Sequence, residues 1–297
     1  MNESQESNTI AVLITCHNRR ETTLRALQSL REQSLPDGCS LRILLTDDGS
    51  TDGTGDAVRS QFPEVTVLQG DGNLFWAGGT SLAWEAAGEA DFYLWLNDDV
   101  VLFPHTLATL FHTYREAGQS SAIIVGATRD PVSNKTSTGG IRRRSWHNCF
   151  VMEPEDKAKP CDAFSGNIVL IPQQAKQELG YLDPAFRHFF ADADYGMRAK
   201  QKGIVCLLAA GHLGACQLNP LTNSSFDTKL SFRQRWQKMF GAKGYRPPRE
   251  WWAFVRAHAP RPKTLYWAIP YLLFVVEGAF GGKVRLRRNV KHPADVG

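Results

Sequence analysis

The chain alternates short apolar runs with amphipathic stretches. Ile10-Ala11-Val12-Leu13-Ile14 is continuously apolar and of strand length, the pattern of a strand buried on both faces of a parallel sheet. Glu21 to Glu32 then places Leu24, Leu27 and Leu30 near helical spacing, and Pro36-Asp37-Gly38 ends that stretch. Leu41 to Thr46 predicts a second strand, a short helix follows to about Gln61, and Val65 to Leu68 predicts a third strand. This βαβαβ rhythm implies right-handed crossovers and a parallel sheet. A glycine-rich loop from Gly70 to Gly79 leads into a helix expected from about Thr80 to Glu89, and Phe92-Tyr93-Leu94-Trp95-Leu96 predicts a buried strand. A helix over 104–118, strands over 122–127, 164–171 and 205–209, and a short helix from Gln173 to Leu179 continue the α/β pattern. Residues 128–160 are polar, irregular and basic around Arg142-Arg143-Arg144, the composition of a solvated hairpin or loop.

Several of these strands stop at polar clusters: Thr15-Cys16-His17-Asn18-Arg19, then Asp47-Asp48-Gly49-Ser50, then Asn97-Asp98-Asp99. In an open α/β sheet, groups just past the carboxyl ends of the strands lie in the crevice where ligands bind. Adjacent carboxylates repel and resist desolvation unless something positive joins them, so Asp98 and Asp99 are candidate ligands of Mg2+ or Mn2+, which would bridge to a diphosphate. The alternative is an ordinary Asn-Asp turn. In the glycine-rich loop, backbone could approach a phosphate at a helix start, although the spacing is neither a dinucleotide fingerprint nor a Walker loop. Trp76 there reads equally as a core anchor. Asp192 and Asp194 sit where another helix begins, where carboxylates face the positive end of the dipole. Residues two apart point in different directions on a helix, so the two are not interchangeable. His212, after the last strand, is a further candidate metal ligand.

Charge changes the picture more than overall composition does. Of 297 residues, 42% are hydrophobic, ordinary for a soluble protein. From Lys229 onward there are 15 Lys plus Arg against 3 Asp plus Glu, a charge of +12, which leaves residues 1–228 at −8 within the overall +4. Two parts are therefore expected, 1–228 and a basic, aromatic, helical extension over 229–297. The apolar run from Leu265 to Val276, flanked by Arg261, Lys263, Lys283, Arg285, Arg287 and Arg288, is too short to span a bilayer but suits an anionic membrane interface. The polar start lacks a secretory pattern, and six scattered cysteines have no paired metal spacing. A cytoplasmic protein with reduced thiols, peripheral on the inner face of the membrane, is expected.

The clusters at Thr15–Arg19, Asp47–Asp52, Gly72–Gly79, Asn97–Asp99, Gly166-Asn167 and Asp192-Ala193-Asp194-Tyr195-Gly196-Met197-Arg198 occur in an order that resembles the family 2 glycosyltransferases of the GT-A fold, particularly rhamnosyltransferase-like bacterial members. The resemblance spans roughly residues 8–218. It implies a Rossmann-like, mixed but mainly parallel sheet flanked by helices, and an enzyme moving a sugar from a nucleotide-diphosphate donor to a glycan or lipid-linked acceptor in cell-envelope polysaccharide synthesis. Thr15 and His17 would border the base, and Asp47 would accept from its imide nitrogen. Asp48, Asn73, Trp76, Gly78, Gly79, Asn97 and Asp98 would complete the donor site. Asp99, with Asp98, would hold the metal, and Asp192 would be the base of an inverting transfer. Two departures stand out: many members carry Glu-Asp where this chain has Ala191-Asp192, and often Tyr where it has His17.

Two other classes fit parts of the chain. A non-catalytic sugar-nucleotide-binding or scaffolding protein of the same fold would have lost the base or the acidic pair, and both are present. A nucleic-acid-binding protein would use the basic segment after Lys229 in salt-dependent contacts with phosphates; no nucleic acid is expected as partner here.

Overall fold

In a computed structural model of the chain, the described residues are 8–146, 148–218, 222–225, 227, 229–241, 244, 246–279 and 290–291. The expected flanking residues Lys283, Arg285, Arg287 and Arg288 lie outside them. The strands are β1 (Asn8–Cys16), β2 (Cys39–Asp47), β3 (Val65–Gln69), β4 (Phe92–Leu96), β5 (Val101–Leu102), β6 (Ile123–Arg129), β7 (Thr136–Thr138), β8 (Gly140–Ser145), β9 (Asn148–Val151), β10 (Lys159–Pro160), β11 (Ala163–Phe164), β12 (Ile168–Pro172), β13 (Cys206–Ala215) and β14 (Val290–Lys291). The helices are α1 (Arg20–Arg31), α2 (Thr54–Gln61), α3 (Phe75–Ala87), α4 (Thr106–Ala117), α5 (Gln173–Leu179), α6 (Ala191–Gln201), α7 (Phe232–Phe240), α8 (Pro248–His258) and α9 (Lys263–Ala279).

The apolar runs form the middle of a mixed sheet ordered β10-β13-β6-β12-β4-β1-β2-β3. β1 is parallel to both β2 and β4, β2 to β3, and β6 to β13, whereas β12 runs antiparallel between β4 and β6. Alternating side chains feed two cores. Ala11, Leu13, Tyr93, Trp95, Val169 and Ile171 pack with α3, α6 and α8 on one face. Ile10, Val12, Ile14, Phe92, Leu94, Leu96, Ile168 and Leu170 pack with α1, α2 and α4 on the other. Burying one such large side chain is worth about 1.5–3 kcal/mol, which is why the middle of each of these strands is apolar and polar residues are confined to the strand ends.

Two expectations change. The strand expected over 164–171 is two: β11 joins a second, four-stranded sheet with β8, β9 and β14, while β12 enters the main sheet. The basic stretch around Arg142 is, as expected, a hairpin, formed by β8 and β9 of that sheet. α3 begins at Phe75 rather than Thr80, so Gly78 and Gly79 lie inside a helix and not in a loop. The basic extension is also partly built into the first core, because Trp251, Phe254 and Val255 of α8 share it with Tyr93 and Trp95. All six cysteines are free thiols.

Gly79 shows what its lack of a side chain is for. A Cβ at this position would collide with the Thr15 side chain, so the glycine lets α3 press against the end of β1. Gly79→Ala should therefore destabilise the fold by about 1–3 kcal/mol, the usual cost of overpacking, measured by urea denaturation; an unchanged midpoint would show that α3 does not depend on this approach.

Candidate active site

Because β1, β2 and β4 run parallel, their carboxyl ends lie on one edge of the sheet, and the antiparallel β12 brings its beginning to the same edge. The Asn97 amide donates to the Asn167 carbonyl at 3.1 Å, joining the polar ends of β4 and β12. There a cavity of about 320 Å³ opens, lined by Thr15, His17, Arg19, Asp48, Trp76, Asn97, Asp98, Asp99 and Asp192, with Ser137, Thr138, Phe189 and Gln217 among its other walls.

The acidic pair is joined by a cation from the chain itself. Arg19 Nη1 lies 3.2 Å from Asp98 Oδ1 and 2.8 Å from Asp99 Oδ2. Burial pushes the Asp98 carboxyl up to about 7, against the lowering effect of Arg19 and with a further rise from Asp99. The Cys216 thiol donates to Asp99 Oδ1 at 3.6 Å. Among the described residues no group of three or more His, Cys, Asp or Glu side chains converges as a complete protein cage for a metal. Two carboxylates opening on a cleft nevertheless fit a hard cation of the Mg2+ or Mn2+ type, which takes one or two carboxylates and completes its shell with water and phosphate oxygens.

Asp48 is committed differently. Its carboxylate accepts from the backbone amides of Gly72, Leu74 and Phe75 at 2.8, 3.2 and 2.8 Å, fixing the glycine-rich loop where α3 starts. His17 Nδ1 is 2.6 Å from the Asp48 carbonyl, and Thr15 Oγ1 is 3.3 Å from Thr80 Oγ1. Trp76 donates from Nε1 to Asn97 Oδ1 at 2.8 Å and meets Trp95 edge-on, so its ring is a fixed wall rather than a mobile flap. Phe75 at φ 54° and Phe190 at φ 73° open α3 and α6 in left-handed geometry, a strained arrangement for bulky residues and a common mark of a working site.

Asp192 lies at the first turn of α6, half-buried, with Oδ2 accepting from the Gly166 amide at 2.9 Å and Oδ1 from the Ala193 amide at 2.8 Å. Burial raises its carboxyl, which these two bonds partly offset. A Cβ at Gly166 would collide with the Trp76 indole, so the glycine allows the approach of that ring and the bond to Asp192 together.

Other residues singled out in the sequence lie elsewhere. Asp47 is buried beneath the strand end and accepts from the Ser50 amide at 3.0 Å. Gly78 and Gly79 lie in α3, Asn73 is exposed on the loop, and none of these four lines the cavity. His212 does not follow the last strand: β13 continues through it to Ala215, and its Nε2 is 2.7 Å from Thr136 Oγ1, away from the acidic pair. Asp194 points into the core, where Oδ2 takes Arg198 Nε at 2.7 Å and Oδ1 takes His258 Nε2 at 2.7 Å. It ties α6 to α8. The sequence reading gave no role to Arg19; the signal was present, since two carboxylates at one strand end require a positive partner and Arg19 lies in the turn between the neighbouring β1 and α1. Ser137, Thr138 and Gln217 carried no such signal.

A model of the family described as Glycosyl transferase family 2 matches residues 11–170. Two relatives, both named N-acetylglucosaminyl-diphospho-decaprenol L-rhamnosyltransferase, from Mycobacterium tuberculosis strains CDC 1551 and H37Rv, are 26% identical over 192 residues. The aligned region covers 54% of this chain and only 61% of theirs. Among solved structures, mannosyltransferase PcManGT from Pyrobaculum calidifontis, in complex with GDP-Man and Mn2+, superposes with a TM-score of 0.51 at 13% identity, over 92% of this chain and 83% of that one. The likeness is one of fold, that of a GT-A glycosyltransferase.

The buried Asp194 interaction yields a direct test. Asp194→Ala would leave His258 and Arg198 without their shared carboxylate and should cost about 3–5 kcal/mol, as breaking a buried ion pair does. Chemical denaturation reads this, and a loss below about 1 kcal/mol would mean that the α6–α8 tie contributes little.

Proposed function

The chain belongs to glycosyl transferase family 2, and on that premise we propose that it transfers a hexose or deoxyhexose from a nucleotide-diphosphate donor to a hydroxyl of a saccharide or lipid-linked acceptor. The observation that carries this reading is that Asp98, Asp99 and Asp192 face one cavity while the fourth carboxylate there, Asp48, is held by three backbone amides. One acidic pair is left for a diphosphate and its counter-charge, and one separate carboxylate for the acceptor. The relatives' names favour a rhamnose-type sugar and a lipid-linked diphosphosaccharide as donor and acceptor chemistry.

Each residue has a part in this reading. Thr15 and His17 border the nucleotide base, and Asp47 supports that edge through Ser50 instead of facing the cavity. Asp99 and Asp98 hold Mg2+ or Mn2+, which when bound supplies positive charge to the leaving diphosphate. Arg19 neutralises the pair and lines the same cavity, where its guanidinium offers positive charge to a diphosphate. Trp76, fixed by Asn97 and Trp95, offers a flat face to the sugar and keeps water from one side of it. Asp192 takes the proton from the acceptor hydroxyl as its oxygen attacks the anomeric carbon. Apart from the acidic pair and Asp48, Asp192 is the one carboxylate among the described lining residues, which leaves no separate nucleophile beside it and supports a single inverting displacement.

A raised carboxyl is a stronger base once ionised, so activity should fall on the acid side at a pH above the ordinary carboxylate range. Asp192→Asn should keep donor affinity, lose about 100-fold or more in kcat and lose that acid limb. Steady-state kinetics over a pH series, beside calorimetry of nucleoside diphosphate binding, separates these effects; an active Asp192→Asn enzyme would remove this residue from proton transfer.

A further inference from the structure

α9 is amphipathic in an unusual sense: its aromatic side faces the protein and its aliphatic side faces out. Trp267 Nε1 donates to the Pro248 carbonyl at 3.1 Å and the Tyr271 hydroxyl to the Arg246 carbonyl at 3.0 Å. Tyr271 stacks on Phe240, and Phe274 packs between Phe232 and Trp236. Opposite them, Leu265, Leu272, Leu273, Val275 and Val276 are exposed, Leu272 by 59%. At 100° per residue, positions 265, 272 and 276 fall on one stripe, with 273 and 275 at its borders. Among the described residues no other helix or strand carries more than one exposed large apolar side chain, so this is a patch and not background.

The surroundings of the patch are one-signed. Arg233 on α7, Arg249 and Arg256 on α8, Arg261 in the turn and Lys263 at the start of α9 pair with no carboxylate among the described residues. The two described acids from residue 229 onward are used inside, Glu250 by Arg187 at 3.0 Å and Glu277 by Arg235 at 2.6 Å. Arg249 also lines, with Trp252, Thr264 and Trp267, an open hollow of about 420 Å³ between α8 and α9. No described helix is long and apolar enough to cross a membrane.

We propose that the α8–α9 hairpin docks the protein on an anionic lipid surface, with the aliphatic stripe of α9 entering the acyl boundary and Arg249, Arg256, Arg261 and Lys263 contacting head groups. Aliphatic residues in the centre, Trp252 at the edge and cations around them are what a helix lying in an interface needs. A second copy of the chain is disfavoured, since a two-fold contact would set these cations against one another. The docking stands apart from the donor chemistry: it requires neither nucleotide nor metal. It would bring a lipid-linked acceptor to the enzyme, and only that consequence rests on the proposed transferase activity.

Flotation of the full chain with vesicles tests it. At low salt the protein should float with phosphatidylcholine vesicles containing phosphatidylglycerol, stay down with phosphatidylcholine alone, and be released as salt rises. Leu272→Glu with Val276→Glu should abolish flotation, and Arg249→Gln with Arg256→Gln should weaken it on the order of 10-fold. All four positions lie outside the proposed donor site, so nucleoside diphosphate binding and circular dichroism should match wild type, which keeps a docking failure distinct from a failure of the transferase reading. Flotation that ignores lipid charge, or survives both double variants, overturns the proposal. So does a solution dimer that the Leu272→Glu, Val276→Glu variant dissolves, without vesicle binding by the wild type.

Discussion

The site follows from one constraint: the stretch of a strand covered on both faces of the sheet is restricted to apolar side chains, so the polar ones gather at its ends. β1 is apolar from Ile10 to Ile14, β2 from Ile43 to Leu45 and β4 throughout, and the three run parallel. The polar residues after these runs therefore come out side by side on one edge. Thr15, His17, Asp48, Asn97, Asp98 and Asp99 are neighbours because the core excludes them from anywhere else along those strands. Burying a carboxylate costs free energy: burial raises Asp98 to about 7, Asp99 adds to the rise and Arg19 opposes it. Arg19 supplies this positive charge from the turn that follows β1.

The second half of the site is held by packing instead of charge. Gly166 allows Trp76 to lie close, its amide fixes Asp192, and Trp76 is itself fixed by Asn97. α6, which carries Asp192, is tied through Asp194 to His258 on α8. The segment beginning at residue 229 thus helps to position the helix that bears the proposed base, and its own outer surface faces away with the aliphatic stripe of α9.

Much of this was legible in the chain, and the reasons differ by feature. Continuous apolar runs ended by polar clusters are a strong signal because burial and strand length both constrain them, so β1, β2, β4 and the acidic pair could be read directly. The start of α3 could not: Gly78-Gly79 reads as a loop by propensity, yet the helix includes both because Gly79 must pack on Thr15. β11 and β12 looked like one strand because the break at Ser165-Gly166-Asn167 is set by partners in two different sheets. His212 looked available because periodicity does not reveal a β-bulge, and β13 shifts register on either side of it. Asp192 and Asp194 could be read as helix-start acids pointing in different directions; what the sequence did not show is where each one ends up, Asp192 on the Gly166 amide and Asp194 on His258.

The central claim is that the carboxylates held by Arg19 form the place where a metal-bound diphosphate docks. Titration calorimetry of a nucleoside diphosphate, with and without Mn2+, on the wild-type protein and on Asp99→Asn tests it most directly. The account predicts that Mn2+ tightens binding to the wild type by about tenfold or more, roughly 1.4 kcal/mol, and leaves binding to Asp99→Asn unchanged. Equal affinity with and without Mn2+ in both proteins would contradict it.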